Sequence, residues 1–505
     1  MGHKTRSGVC SLRFLVAMVF VVIILLWQAH APVTVSAQSA CPATPVVTIN
    51  SPQTPADVCT TPPNFNGNPI QFFDDYSWRA FVSMVWPAAS GQRGVPDTTK
   101  SVGDSSTPLV FETLKSDWEM FQPSGAAPSS WNAFTGSNPC GTGQAVGFND
   151  MVLASFTKFG DMGEAGSNQQ NPLTHALPSQ NGKWVRYLTA FNQVEYTQIV
   201  NGTLYILSSL QKAAPVANPP GNLFQPGALD VKSAWMDMTG IAQKARYYTR
   251  QALVIDPTAP AGSGCTTITV GLVGLHIVQK TPSRPQWIWS TFEQVDNVPA
   301  TAGATGPFGF NDGKGTASPL SPPGQKDPNV GFPPTSWANP QVYNVIRLQP
   351  INNQGNGSFA TSTQATNANY QKALTGTVWQ FYQLVMTQWP LQLKPPSPIP
   401  PTQTGFPGFT FPGNNPVSSF SNTTLETWDQ GSISTGCMAC HTLTKNGSDF
   451  LWSLEINAFQ NPGNTLMSLR SAKTIRPPRS KAERDLMALL KTTASKTPAG
   501  KKTKP

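Results

Sequence analysis

CTTITVGLVGLHIVQK, residues 265–280, carries no acidic residue and a single lysine at its end. Thr266, Thr267, Ile268, Thr269, Val270, Val273, Ile277 and Val278 are β-branched. Such side chains are stiff at χ1 and pack well on a pleated surface, so the run favours strand over helix. Its apolar residues do not alternate with polar ones. A strand covered on both faces reads this way, and the stretch predicts a central, doubly buried strand.

Working outward, RYYTRQALVID (246–256) predicts a second strand, and RPQWIWSTFEQ (284–294) a short helix or wall beyond the central one. Upstream, KWVRYLTAF (183–191) and TLYIL (203–207) each follow an Asn-Gly pair, a turn signal before β-prone residues, and are expected as strands. Two helices are expected. In FFDDYSWRAFVSMVWP (72–87), Phe73, Tyr76, Ala80 and Met84 recur at steps of three and four, and Pro87 closes the run. In NYQKALTGTVWQFYQLVMTQWP (369–390), Tyr370, Leu374, Val378, Phe381, Val385 and Trp389 share one helical face up to Pro390. Residues 211–227 and 299–341 read as Pro- and Gly-rich loops, and 394–416 as an extended polyproline-like linker. TTLETWDQ (423–430) opens with a capping-box pattern from Thr423 to Glu426. The fold class expected is α+β: a loop-rich, β-containing body with a few amphipathic helices.

The 505-residue chain contains 48 Pro and 41 Gly but only 12% charged residues, about half the usual share for soluble domains. Weakly charged polar surfaces suit a place outside the cytoplasm. Residues 1–13 carry Lys4, Arg6 and Arg13 without an acid, and Phe14–Trp27 is wholly apolar. That run spans roughly 21 Å, short of the ~30 Å membrane core. Val35-Ser36-Ala37 supplies a small-residue cleavage site. The layout predicts a secretory signal peptide over 1–37 and a periplasmic or secreted mature chain.

The net charge of +9 is uneven: residues 470–505 hold eleven Lys/Arg against Glu483 and Asp485. Basicity therefore describes a tail, expected to be disordered over 471–505 and suited to contact with an anionic surface. No basic stripe interleaved with aromatics marks a nucleic-acid face. Cys41, Cys59, Cys140 and Cys265 form an even set in an oxidising compartment. Three pairings are open; one of them joins Cys41 to Cys59 and Cys140 to Cys265.

TGCMACHTL (435–443) carries the chemistry. C-x-x-C-H is the attachment signature of c-type haem. Thiols of Cys437 and Cys440, one turn apart, would each add to a vinyl group at the haem edge, and His441 would then be the proximal iron ligand. Structural zinc needs four ligands, and after residue 37 the other histidines are only His175 and His276. A thioredoxin-like site needs its C-x-x-C at a helix start within a βαβ pattern, whereas this one follows the Pro-rich linker. One covalent haem c is expected, in a small helical segment (417–470) packed on the body (38–393). Candidates for the sixth ligand are His276, His175, Met84, Met386 and the downstream Met467 and Met487. A Met or His there favours electron transfer, and an open position favours ligand binding or catalysis.

Six stretches together resemble an exported bacterial family usually described as cytochrome c family or cytochrome c domain-containing proteins, which has no assigned reaction. They are SWRAFVSMVWP…GQRGVPD (77–97), NPLTHALPSQNGKWVRYLTAFNQVEY (171–196), VKSAW (231–235), GLVGLHIVQKTPSRPQWIWSTFEQVDNVP (271–299), YQLVMTQWP (382–390) and LETWDQGSISTGCMACH…DFLW (425–452). The resemblance spans most of 70–460. It implies covalent haem at Cys437 and Cys440, iron ligation by His441, and His276 rather than Met467 as distal partner. Similar sequences often carry His where Gln294 stands here. Two readings remain open. The first is a periplasmic electron carrier docking a redox partner protein. The second is a haem-dependent oxidoreductase or peroxide- or ligand-binding enzyme, with Trp287, Trp289, Glu293 and Asp296 lining a cleft and Glu293 as acid/base.

Overall fold

The computed structural model describes residues 44–59, 69–156 (apart from 123, 135–137 and 142), 176–216, 223–300 (apart from 257 and 260–262), 304–313, 357–390, 410–411, 421–427 and 448–460, with single positions at 2, 338, 340, 342, 344–347, 351, 437, 441 and 444. The expected leader apart from position 2, the basic tail, His175, Cys440, Met467 and Met487 lie outside them. The chain divides into Met1–Ala43 and Thr44–Pro505, and every element below belongs to the second unit.

The central strand is where the sequence puts it. Strand β6 (Thr266–Thr281) is the hub of a curled mixed sheet. Strand β4 (Leu229–Asp237) runs antiparallel along one edge, pairing Lys232 with His276. Along the other edge lie β5 (Thr249–Val254), pairing Val254 with Thr266, and β7 (Arg284–Gln294), pairing Thr291 with His276. Outward from β4 come β3 (Arg186–Phe191) and the two-residue β1 (Lys115–Ser116), which runs into the short helix α2 (Asp117–Met120). Outward from β7 come β8 (Tyr382–Pro390) and β9 (Thr410–Phe411). Strand β2 (Val152–Leu153) joins β5 in parallel. The fold is α+β.

One face of the sheet carries two helices, α1 (Pro69–Met84) and α5 (Gly357–Ala373). The expected stripe on α1 does face inward: Phe73 stacks on Trp389 at 3.6 Å, and Trp78 on Tyr370 at 5.0 Å. Ser77 bonds both Ser290 and Thr387 at 2.7 Å, so the helix is also tied to β7 and β8 by polar contacts. Asn367 on α5 accepts from the Trp78 indole and donates to the Leu384 carbonyl. The opposite face receives the chain's C-terminal part, residues 421–427 and 448–458.

Several local expectations are corrected. Residues 378–390 are not helix: α5 stops at Ala373, Gly376 takes φ +89°, and Thr377 caps a short 3-10 turn that leads into β8. The aromatic and β-branched run after Thr377 gains more by adding to the sheet than by prolonging a helix. RPQWIWSTFEQ is β7, a strand and not a short helix. TLYIL is not a strand. The Asn-Gly before it ends helix α3 (Gln193–Asn201), with Gly202 donating to the Gln198 carbonyl, and helix α4 (Leu207–Val216) begins within the run. That helix also replaces the loop expected over 211–216. The same dipeptide at 181–182 does make a turn, with Gly182 at φ +69° before β3. Within the expected linker, Thr410–Phe411 pairs with Trp389 and Pro390.

Cys140 and Cys265 form a disulfide, which ties the start of β6 to the loop before β2. Cys59 is disulfide-bonded too, and Cys41 lies outside the described residues.

Candidate functional site

Register decides which side chains meet beneath the C-terminal part. In antiparallel pairs, opposed residues point to the same side. Gly274, His276 and Val278 on β6 therefore share a face with Glu293, Thr291 and Trp289 on β7, and with Lys232 and Asp230 on β4. Met386 and Gln388 on β8 extend the row. This is the face opposite α1 and α5.

Residues 421–427 are clamped onto it. Asn422 is fully buried and donates to Thr291 Oγ1 (3.1 Å) and the Phe292 carbonyl (2.6 Å), while its Oδ1 accepts from the Thr424 and Leu425 N–H groups. Asn422, not Thr423, therefore caps the turn, and Glu426 reaches back to the Asn422 N–H at 2.9 Å. Thr423 bonds Glu293 instead. Gly274 makes the approach possible: a Cβ there would fall 2.4 Å from Thr424 Oγ1.

Cys437 and His441 both have helical backbone. Cys437 is half-buried and packs against the main core. The His441 ring lies 4.2 Å from the Trp289 ring, centroid to centroid. Its Nδ1 is 2.6 Å from the Phe450 carbonyl oxygen. A carbonyl only accepts, so Nδ1 carries a proton, and in the neutral ring the lone pair is then on Nε2. Ligating histidines are oriented by this kind of bond.

His276 occupies the same face as Trp289, two residues along the ladder. Its Nε2 is buried, 3.4 Å from Glu426 Oε2, without a hydrogen bond of good geometry. Met386 lies in the same row across β7 and is fully buried, whereas Met84 is core on the α1 side. Among the described residues, no three His, Cys, Asp or Glu side chains converge as a metal site.

The four residues expected to line a cleft are each packed or paired. Glu293 is 1% exposed; it pairs with Arg347 and accepts from Gln383 and Thr423. Its carboxylate joins strand β7 to the C-terminal part. Trp287 and Trp289 are buried, and Asp296 is paired with Arg246. Gln294 donates to the Arg246 carbonyl and to Asp296.

A buried charge cluster adjoins the face. Lys280 and Asp449 pair at 2.5 Å with both side chains inaccessible. Glu195 on α3 is fully buried, and neither carboxylate oxygen has a hydrogen-bond partner. Burial pushes its acidity well toward the protonated form; Asp230 and Asp449 push the same way and Lys280 opposes them. Burial likewise raises Asp230, which accepts from Ser453. Sequence reasoning missed Asn422, Lys280, Asp449 and Phe450. Lys280 alone carries a sequence signal: a charge ending an otherwise apolar strand must find a buried partner.

No protein-family model matches the chain, and no curated protein and no solved structure is significantly similar to it.

Proposed function

We propose that the protein is an exported mono-haem c-type cytochrome that transfers electrons in the periplasm to or from a redox partner protein. The observation that carries the reading is the state of His441. It follows Cys437 by four residues in the sequence, rests on Trp289, and has its Nδ1 proton committed to the Phe450 carbonyl. Those features fit a proximal ligand, because they leave Nε2 as the donor atom and fix the ring's direction. Cys437 and Cys440 would hold the group by thioether bonds, and His441 would ligate the iron. Bound there, haem c supplies a one-electron centre. The chain's own contribution is a dry aromatic wall (Trp287, Trp289) and a clamp (Asn422, Glu293) that keeps the segment on the sheet. The apolar leader over 1–37 supports export to the compartment where such attachment occurs.

His276 is the proposed distal ligand, supported by its buried Nε2 on the same face. One observation favours the second reading, a haem enzyme or ligand-binding protein. Glu426 stands 3.4 Å from that nitrogen and competes for it, which would leave an iron position open.

The test is a visible spectrum and pyridine haemochrome assay on protein exported from a host with cytochrome maturation machinery. One haem per chain with a low-spin spectrum is expected, lost as stable loading in Cys437→Ala and Cys440→Ala and altered in spin state by His276→Ala. A high-spin spectrum that shifts with cyanide selects the enzyme reading. Absence of haem from the matured wild-type protein refutes both.

A further inference from the structure

The 448–451 turn is held in an unusual shape. Asp449 and Phe450 both lie in the left-handed region, at φ 53° and 71°, where side chains with a Cβ are rarely found. Successive residues keep such a conformation only when their surroundings impose it. Three contacts do so, all through Asp449. Its Oδ2 accepts from Lys280 Nζ at 2.5 Å and from the Phe224 N–H at 3.0 Å. Its carbonyl accepts from the Trp287 indole at 2.9 Å. Lys280 belongs to the central strand, so the turn is tied to the hub of the sheet. The next carbonyl in the chain, that of Phe450, is the one that meets His441 Nδ1.

We propose that Lys280 and Asp449 are positioning residues for His441. The buried pair holds the left-handed turn, the turn aims the Phe450 carbonyl, and the carbonyl keeps the imidazole proton on Nδ1. The pair acts through the backbone of Asp449 and Phe450. Its relevance to iron rests on the reading above, but its effect on the His441 tautomer does not.

The test uses full-length exported protein, reduced, and long-range proton–nitrogen correlation spectra of its histidines, with His441→Gln to assign the resonance. Wild type is expected to show His441 protonated at Nδ1. Lys280→Met combined with Asp449→Asn removes both charges and leaves no uncompensated one in the interior. In that variant the Nδ1 proton is expected to lose its protection from exchange. The midpoint potential is expected to rise, because an imidazole without its carbonyl partner is a weaker donor to oxidised iron. A folded double variant with unchanged His441 spectrum and potential overturns the proposal. Asp449→Asn alone keeps a side chain tolerant of left-handed backbone and is expected to show the same change in smaller measure. If the double variant does not fold, Asp449→Asn decides. Absence of haem in wild type would refute the cytochrome reading, while the tautomer measurement would still decide the role of the pair.

Discussion

Replacing Asp74 by Asn should remove a defined part of the protein's pH dependence. Asp74 sits on α1 at 1% exposure, facing the sheet, and accepts hydroxyl bonds from Thr387 (2.9 Å) and Thr363 (2.6 Å). Burial pushes its carboxyl up to about 7; the two hydroxyls oppose that push and Asp75 adds to it. The folded state thus prefers the protonated acid. The stability this confers is present in full below the ordinary carboxyl range near 3.8 and is lost as pH rises through about 7. A displacement of about three pH units corresponds to about 4 kcal/mol, of which roughly 2.5 kcal/mol falls between pH 5 and 8. Asn cannot titrate, and the threonine hydroxyls can turn to meet an amide. Urea unfolding followed by tryptophan fluorescence at pH 5, 6.5 and 8 should show the variant gaining on wild type by about 2.5 kcal/mol across that range. Asp117, Glu195 and Asp230 are also raised by burial, but they titrate in both proteins and cancel. Parallel pH profiles for the two proteins would refute the reasoning.

Removing the Cys140–Cys265 disulfide with paired Ser substitutions frees a link across 125 residues. It should cost about 2–5 kcal/mol, read as a fall in urea midpoint. Gly274→Ala puts a methyl 2.4 Å from Thr424 Oγ1 and 3.2 Å from Asn422 Oδ1. Overpacking of this kind costs about 1–3 kcal/mol, and limited proteolysis should cut near 421–427 first while the sheet resists.

Where local reading failed, long-range partners had won. The run 378–390 has apolar residues at helical steps, yet β7 offers an open edge and the chain takes it after Gly376. Two Asn-Gly pairs carry the same local signal. One turns the chain into β3, while the other ends α3, because Asn192 caps a helix that the dipeptide then has to close. The capping-box pattern at Thr423 shifts by one residue because Glu293, distant in sequence, takes the Thr423 hydroxyl.

The sequence by itself determined the central strand, the inward stripe of α1 and the α+β class, since these depend on β-branching and periodicity within a few neighbours. It also placed Cys437, Cys440 and His441 in a single motif. Tertiary structure alone decided that His276, Trp289 and Glu293 share one sheet face, because side chains in different strands meet only through register. It alone decided that Glu293 is a clamp, since its partners Arg347, Gln383 and Thr423 come from three separate parts of the chain. The left-handed turn at Asp449 and Phe450 belongs to the same class. Nothing in DFLW calls for it; Lys280, Trp287 and Phe224 impose it from across the fold.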